Sequence, residues 1–141
     1  ADLMYRAGFK TIRLGLETTQ TAHERQYDDK VAPDQFEAAA GHLKAAGFKK
    51  DQMGAYLLCG LPDQDLDLVE RSMVRVNAAG MTPVLAYYTP IPHTPMWETA
   101  VRSARFDLNQ DPVYTNNTLF PCAGSEQEIE RITALKHRFG A

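Results

Sequence analysis

A helix end and a strand follow each other in the stretch AAGFKKDQMGAYLLCG, residues 45–60, and this succession decides the fold. Gly47 follows an alanine-rich helix pattern, at the place where glycine takes the left-handed backbone that closes a last turn. Residues 53–60 form an apolar run bounded by glycine, which is typical of a buried strand. The stretch therefore predicts a helix over 33–46 and a strand over 53–60.

The same succession occurs twice more in the chain. Residues 6–9 (RAGF) precede a strand pattern over 11–17, and residues 78–81 (AAGM) precede another over 83–89. Strands that are separated by single helices cannot pair as hairpins, so we expect parallel strands joined by right-handed crossovers. The predicted fold class is α/β, with three parallel strands that alternate with helices.

Amphipathic periodicity supports the helices. The pattern over 2–7 is short, whereas 33–46 and 65–79 each present one apolar face. A further helix is predicted over 94–105, then a long loop over 106–121 and a last helix over 125–138 that opens with a capping box. The residues predicted to face the core are Phe36, Ala39, Ala40, Leu43, Leu66, Val69, Met73 and Val76.

Three parallel strands are few for a complete sheet. Such sheets normally have both faces and both edges covered, and these helices suffice for little more than one face. We therefore expect the chain to be a piece of a larger fold, with open sheet edges that favour self-association.

Composition excludes several classes of function. The chain of 141 residues is 44% hydrophobic, which suffices for one globular core. Its 15 basic and 18 acidic residues are scattered and give a net charge of −3, so nothing indicates binding to nucleic acid or an anionic membrane. The sequence has no apolar run of about 20 residues and no signal pattern, which favours a cytoplasmic protein.

Cysteine and histidine spacing gives no metal site. Cys59 lies in a strand pattern and is expected in the core, whereas Cys122 falls in the predicted loop, and no disulfide is expected between them. The chain also lacks a glycine-rich phosphate loop and a serine nucleophile elbow.

Candidate site residues follow the ends of the predicted strands. In the first strand Arg13, Gly15 and Glu17 alternate with apolar residues, and Glu17 stands at the carboxyl end, where parallel α/β sheets bind ligands. A solvent-facing carboxylate or an ion pair with Arg13 explains Glu17 equally well.

The other two strands end in distinctive loops. The second is followed by CGLPDQD, residues 59–65, in which Gly60 allows a tight turn and Asp63 or Asp65 can cap the next helix. The third runs into YYTPIPHTPMW, residues 87–97, whose prolines stop the strand and prevent a helix before Pro95. His93 lies in this loop, either as a surface residue or as a functional one.

Four segments, in order, resemble the radical S-adenosylmethionine (SAM) enzymes, especially the type joined to a cobalamin-binding domain. AGFKTIRLGLET (7–18) resembles the fourth barrel strand, and 30–47 is similar to the segment after it. GLPDQD (60–65) resembles the Gly-Leu-Pro-Gly-Glu/Gln-Thr motif after the fifth strand. PIPHTPMW (90–97) is similar to the Pro-x-Pro-Gly-Thr-Pro-x-Trp/Tyr motif after the sixth.

The resemblance implies a partial (β/α) TIM-like barrel fragment. Residues 1–105 would be the C-terminal half of a (β/α)₆ barrel, and 106–141 a post-barrel loop and helical tail. The implied partner is the N-terminal half of the same polypeptide, with the Cys-x-x-x-Cys-x-x-Cys loop that holds a 4Fe-4S cluster. The implied cofactors are SAM and that cluster, with cobalamin as a further candidate, and the fragment alone would be inactive.

The resemblance also assigns site residues, none of them catalytic. Glu17 is expected to accept hydrogen bonds from the SAM ribose or amino group, and Lys30 to pair with the SAM carboxylate. Leu58 and Tyr88 would flank the adenine.

Two residues depart from the family pattern, since Asp63 and His93 stand where it has glycine. If either position needs positive φ, we expect the local loop to differ. His93, like Arg13, is then a substrate-facing candidate.

Two other functions remain open. The chain could be a non-catalytic α/β half-barrel that binds a partner through its open sheet edge, or an unrelated (β/α)-barrel hydrolase that uses Glu17, Asp63 and His93. Three suitably spaced cysteines upstream of the chain would favour the radical SAM enzyme over the half-barrel. Metal titration tests the hydrolase.

Overall fold

The fold was determined as a computed structural model that describes residues 1–17 and 33–139. Helices and strands alternate as predicted, and short 3₁₀ turns lie at Lys50–Gln52, Pro112–Thr115 and Asn117–Leu119. In chain order the elements are α1 (Asp2–Arg6), β1 (Ile12–Glu17), α2 (Pro33–Ala45), β2 (Met53–Cys59), α3 (Leu66–Ala78), β3 (Thr82–Tyr87), α4 (Trp97–Ser103) and α5 (Glu126–Phe139).

The three strands form one parallel sheet in the order β1-β2-β3, as the helix-linked succession predicts. Arg13 pairs with Gly54, and Gly54 pairs with Thr82, so these three residues lie side by side across the sheet. A shift of register lies between Gly15 and Glu17. Because of this shift, the alternation of side chains between the two faces of the sheet cannot be extended along β1 from Ile12 to Glu17.

One face of the sheet is covered. Helix α3 packs on β2 and β3, and α5 packs on α3 and β3. Every predicted core residue of α3 is buried, as are those of α2 except Ala39, which is half-buried. The main core contains Ile12, Leu16, Phe36, Ala40, Leu43, Phe48, Met53, Ala55, Leu57, Cys59, Leu66, Val69, Met73, Val76, Met81, Ile132 and Leu135.

The opposite face lies open in the part of the chain that the structure describes. Arg13 and Gly15 are exposed on it, and Tyr56 at the centre of β2 keeps 41% of its surface exposed. An aromatic ring at the centre of a sheet is normally covered. The expectation that these helices cover only one face agrees with this arrangement.

Left-handed glycines end the first three helices, as predicted. Gly8, Gly47 and Gly80 have φ of 82°, 107° and 73°. The residue after Gly47 and the residue after Gly80 pack into the core, whereas Phe9, which follows Gly8, is 52% exposed. The preceding helix α1 has five residues, none of them buried.

The C-terminal part differs in detail from the prediction. Helix α4 begins at Trp97 because Thr94 closes a turn, with its hydroxyl donating to the Ile91 oxygen at 2.7 Å. At the start of α5, the Ser125 hydroxyl accepts the Glu128 N–H at 3.3 Å, but the Glu128 carboxylate accepts from Gly124 at 2.6 Å. Half of the predicted capping box therefore forms.

No described helix is both long and apolar enough to cross a bilayer.

Ion pairs join α5 to α3. Arg131 binds Asp67 and lies 3.5 Å from Glu70, which also pairs with Arg138 at 2.5 Å. The hydrogen bond from Arg131 lowers the pKa of the Asp67 carboxyl. This contact stabilises the fold above the ordinary aspartate pKa of about 3.9 and is lost as the pH falls through the lowered value.

We expect Arg131→Ala to raise the Asp67 pKa toward its ordinary value. The guanidinium favours the charged carboxylate, so its removal takes away the main cause of the lowered pKa. NMR titration of the side-chain carboxyls measures the change, with Arg102→Ala on α4 as a control that leaves Asp67 unaffected. An unchanged Asp67 pKa in Arg131→Ala would contradict the pairing.

Candidate site at the carboxyl ends of the strands

The carboxyl ends of the parallel strands meet at one edge of the sheet. Strand β1 ends at Glu17, β2 at Cys59 and β3 at Tyr87. The ends of β2 and β3 are joined there, because the Tyr88 N–H donates to the oxygen of Cys59, the last residue of β2, at 2.8 Å. This edge is where ligands of parallel α/β sheets bind.

The loop after β2 is held by the side chain of Gln64. Its Oε1 accepts the Gly60 N–H at 2.8 Å, and its Nε2 donates to the Leu58 oxygen at 3.0 Å. Sequence reasoning missed this role, although Gln64 matches the Glu/Gln position of the resembling motif. Asp65 caps α3 by accepting the Asp67 N–H at 2.8 Å, which confirms one of the two predicted caps.

Asp63 and His93 both have left-handed backbone, with φ of 54° and 65°. These are the two positions at which the resemblance expects glycine. The loops therefore keep positive φ, where we had expected a loop without glycine to differ. Aspartate and histidine are among the side chains best tolerated there. Both are exposed, so each side chain extends from the loop into solvent.

Leu58 and Tyr88 come close together, but in different surroundings. Leu58 is half-buried on the open face and pairs with Ala86 of β3. Tyr88 packs against a second, smaller core. This core contains residues from before and after position 105, the predicted end of the barrel half. That core consists of Ala100, Leu108 and Cys122, with Tyr88, Trp97, Val101, Ala104 and Tyr114 around it.

The tail packs against the end of β3. Asn117 Nδ2 donates to the Tyr87 oxygen at 3.3 Å, and the Phe120 ring meets the Tyr87 ring edge-on at 4.8 Å. Arg105 fixes the return of the chain, since its backbone N–H donates to the Pro121 oxygen at 2.8 Å. No local sequence pattern indicates these contacts, which place residues 117–121 beside the candidate site.

Both cysteines are free and buried. Burial raises the pKa of the Cys59 thiol to about 12, so it stays protonated at neutral pH and acts as a core residue, as predicted. Burial also raises the pKa of Cys122, which was predicted only to lie in a loop.

Of the remaining predicted residues, Arg13 is not brought to this site. Arg13 lies near the amino end of β1, four residues or roughly 13 Å before Glu17. The Glu17 side chain and all of Lys30 lie outside the described residues. Within 1–17 and 33–139, no group of three histidine, cysteine or acidic residues could hold a metal ion.

The sequence matches no protein-family model and no curated protein. The class that the described residues define is a three-stranded parallel α/β unit. The loops after β2 and β3 both begin at the carboxyl edge, and each contains one non-glycine residue at positive φ.

Proposed function

We propose that this chain is the C-terminal part of a radical SAM barrel and supplies SAM-binding, substrate-facing strand ends. The observation that supports this most is the left-handed backbone at Asp63 and His93. Among the described residues, three that are not glycine have positive φ, and two of them fall where the family motifs have glycine.

This coincidence supports the resemblance because both residues stand third in a four-residue turn whose second residue is proline. The Gln64 N–H donates to the Leu61 oxygen at 3.3 Å, and the Thr94 N–H donates to the Ile91 oxygen at 3.4 Å. Positive φ after such a proline is the type II turn pattern, which favours glycine there, as in the family motifs. A left-handed non-glycine residue costs roughly 1 kcal/mol. Two loops that accept this cost at the motif glycine positions are expected if they share the family's loop shape.

Leu58 is the residue at this edge that a ligand could contact from the open face of the sheet. Gly60 is buried, and a Cβ placed on it would lie in ordinary contact with the Phe120 ring at 3.8 Å. Leu58 offers an apolar surface on the open face, on which an adenine ring could lie. In the proposed complex Glu17 accepts hydrogen bonds from SAM hydroxyl or amino groups, and Lys30 pairs with its carboxylate.

The chain's own cysteines do not fit a 4Fe-4S cluster. Cys59 belongs to the main core and Cys122 to the smaller one, and burial raises the pKa of both thiols. The role proposed for this chain is binding and orientation of SAM.

We expect SAM to bind the ¹⁵N-labelled chain weakly, with a dissociation constant of about 1 mM or higher, because half of the site is proposed to lie elsewhere. Chemical shifts of the Leu58, Gly60 and Tyr88 amides should move together. Glu17→Gln should weaken binding severalfold, whereas Glu98→Gln, an exposed control on α4, should not. Unmoved amides at about 5 mM SAM, or cleavage of SAM by this chain alone under reducing conditions, would overturn the proposal.

The hydrolase alternative requires Glu17, Asp63 and His93 to converge on a catalytic site. Titration with Zn²⁺ and Mn²⁺, followed by the same amide spectra, tests it. Saturable shifts at both Asp63 and His93 would favour the hydrolase over the SAM site.

A further inference from the structure

A cleft of about 290 Å³ runs along the outer edge of β3. Four consecutive strand residues line it, Thr82 to Leu85, together with Tyr87. Consecutive strand residues point to opposite faces of a sheet, so a cleft that touches all of them follows the edge. Strand β3 pairs with β2 alone among the described residues, which leaves its outer backbone groups without a strand partner.

Arg13 reaches this cleft from β1 by crossing Gly54. A Cβ on Gly54 would lie 2.8 Å from Arg13 Cδ and 3.1 Å from the Thr82 oxygen, so the absence of a side chain makes the path. The Arg13 Nη1 donates to the backbone oxygens of Ile12 at 3.1 Å and Gln52 at 3.5 Å. The guanidinium is thus oriented by the backbone and retains donors for another acceptor.

The cleft has a positive charge without a negative counterpart. Arg13 and Lys136 are its only charged lining residues, and neither forms an ion pair within the described parts of the chain. They also stand on opposite sides of the edge. Arg13 comes from the open face of the sheet, and Lys136 comes from α5, which packs on the covered face.

We infer that the outer edge of β3 binds an extended acidic segment of a partner protein. A strand added to this edge would satisfy free backbone groups of β3, although Pro83 offers no N–H. Its successive side chains would point alternately to the open and the covered face. Two adjacent carboxylates then meet Arg13 and Lys136, whereas carboxylates two residues apart reach only one of them.

This spacing rule gives a direct test. The probes are end-blocked, fluorescein-labelled hexapeptides of valine and threonine with two glutamates, either adjacent or separated by one residue. We expect the adjacent peptide to bind about three- to tenfold more tightly in anisotropy titrations, from one additional ion pair. Its affinity should fall as salt rises, because the cleft charges are exposed.

Variants separate geometry from net charge. Lys136→Glu and Arg13→Glu should each weaken the adjacent peptide at least about fivefold, since a like charge replaces an ion pair. Lys10→Glu changes the net charge equally outside the cleft and is the matched control. Gly54→Ala removes no charge but pushes Arg13 aside, so it should reduce the advantage of the adjacent peptide.

The inference does not depend on SAM binding, and the two can fail separately. Equal affinity for both peptides, or an equal loss in Lys10→Glu, would show non-specific attraction and overturn it. No binding of either peptide at about 1 mM would overturn it as well. Circular dichroism of each variant confirms that the fold is retained before binding is measured.

Discussion

Met73→Ala is expected to lower the free energy of unfolding by about 2 to 5 kcal/mol, the usual cost of a large-to-small change in a core. Met73 is completely buried between α3 and the sheet. The substitution removes apolar contacts and leaves a cavity that the parallel strands cannot readily close. Because the opposite face of the sheet is open, a loss of this size is a large fraction of the stability available to the chain.

Urea denaturation followed by circular dichroism measures this loss. Val74→Ala is the matched control, since Val74 is the next residue on the same helix and 47% exposed. Its change should stay within about 0.5 kcal/mol. If Met73→Ala does not fold, Met73→Leu keeps the test open, with an expected cost below about 1.5 kcal/mol. Equal losses at positions 73 and 74 would contradict the predicted core face of α3.

The sequence allowed prediction of the α3 core face because helical periodicity is a local property. Leu66, Val69, Met73 and Val76 recur on one side of a 3.6-residue helix, and all four are buried. The parallel order β1-β2-β3 followed for the same reason, since single helices between strands exclude hairpins. Both predictions needed only the spacing of residues along the chain.

Contacts between distant segments could not be predicted in this way. The bond from Asn117 to the Tyr87 oxygen joins residues 30 apart in sequence, and no pattern near either residue indicates the other. Arg13 reaches Thr82 only because Gly54, on another strand, has no side chain. The register shift before Glu17 likewise results from pairing between strands. Such features arise from packing, to which periodicity is insensitive.

The candidate site was partly predictable. The loops after β2 and β3 were placed correctly, because glycine and proline mark strand ends. The left-handed φ of Asp63 and His93 was not predicted, although the proline before each residue is typical of a type II turn, whose next residue has positive φ. Gln64 was overlooked because its amide bonds to the backbone of its own loop, which spacing alone does not reveal.

Gly60→Val is expected to destabilise the chain by roughly 2 kcal/mol, because a β-branched residue strongly disfavours positive φ. Gly60 has φ of 83°. We expect most of the cost to come from the backbone, since an added Cβ would meet the Phe120 ring at an ordinary contact distance of 3.8 Å. A shift of φ would also turn the Gly60 N–H away from Gln64, so the loop after β2 would lose the bond that ties it to the strand end.

Thermal and urea unfolding measure the loss, with Gly41→Ala as the control. Gly41 lies within α2 with open space around it, so alanine there should stabilise the chain by about 0.5 to 1 kcal/mol. Gly60→Asn separates backbone from side chain, because asparagine tolerates left-handed φ and should cost less than valine. If valine and asparagine were equally costly, bulk at the strand end would be the cause. The Phe120 ring, which lies 3.8 Å from an added Cβ, would then be the neighbour that limits this position.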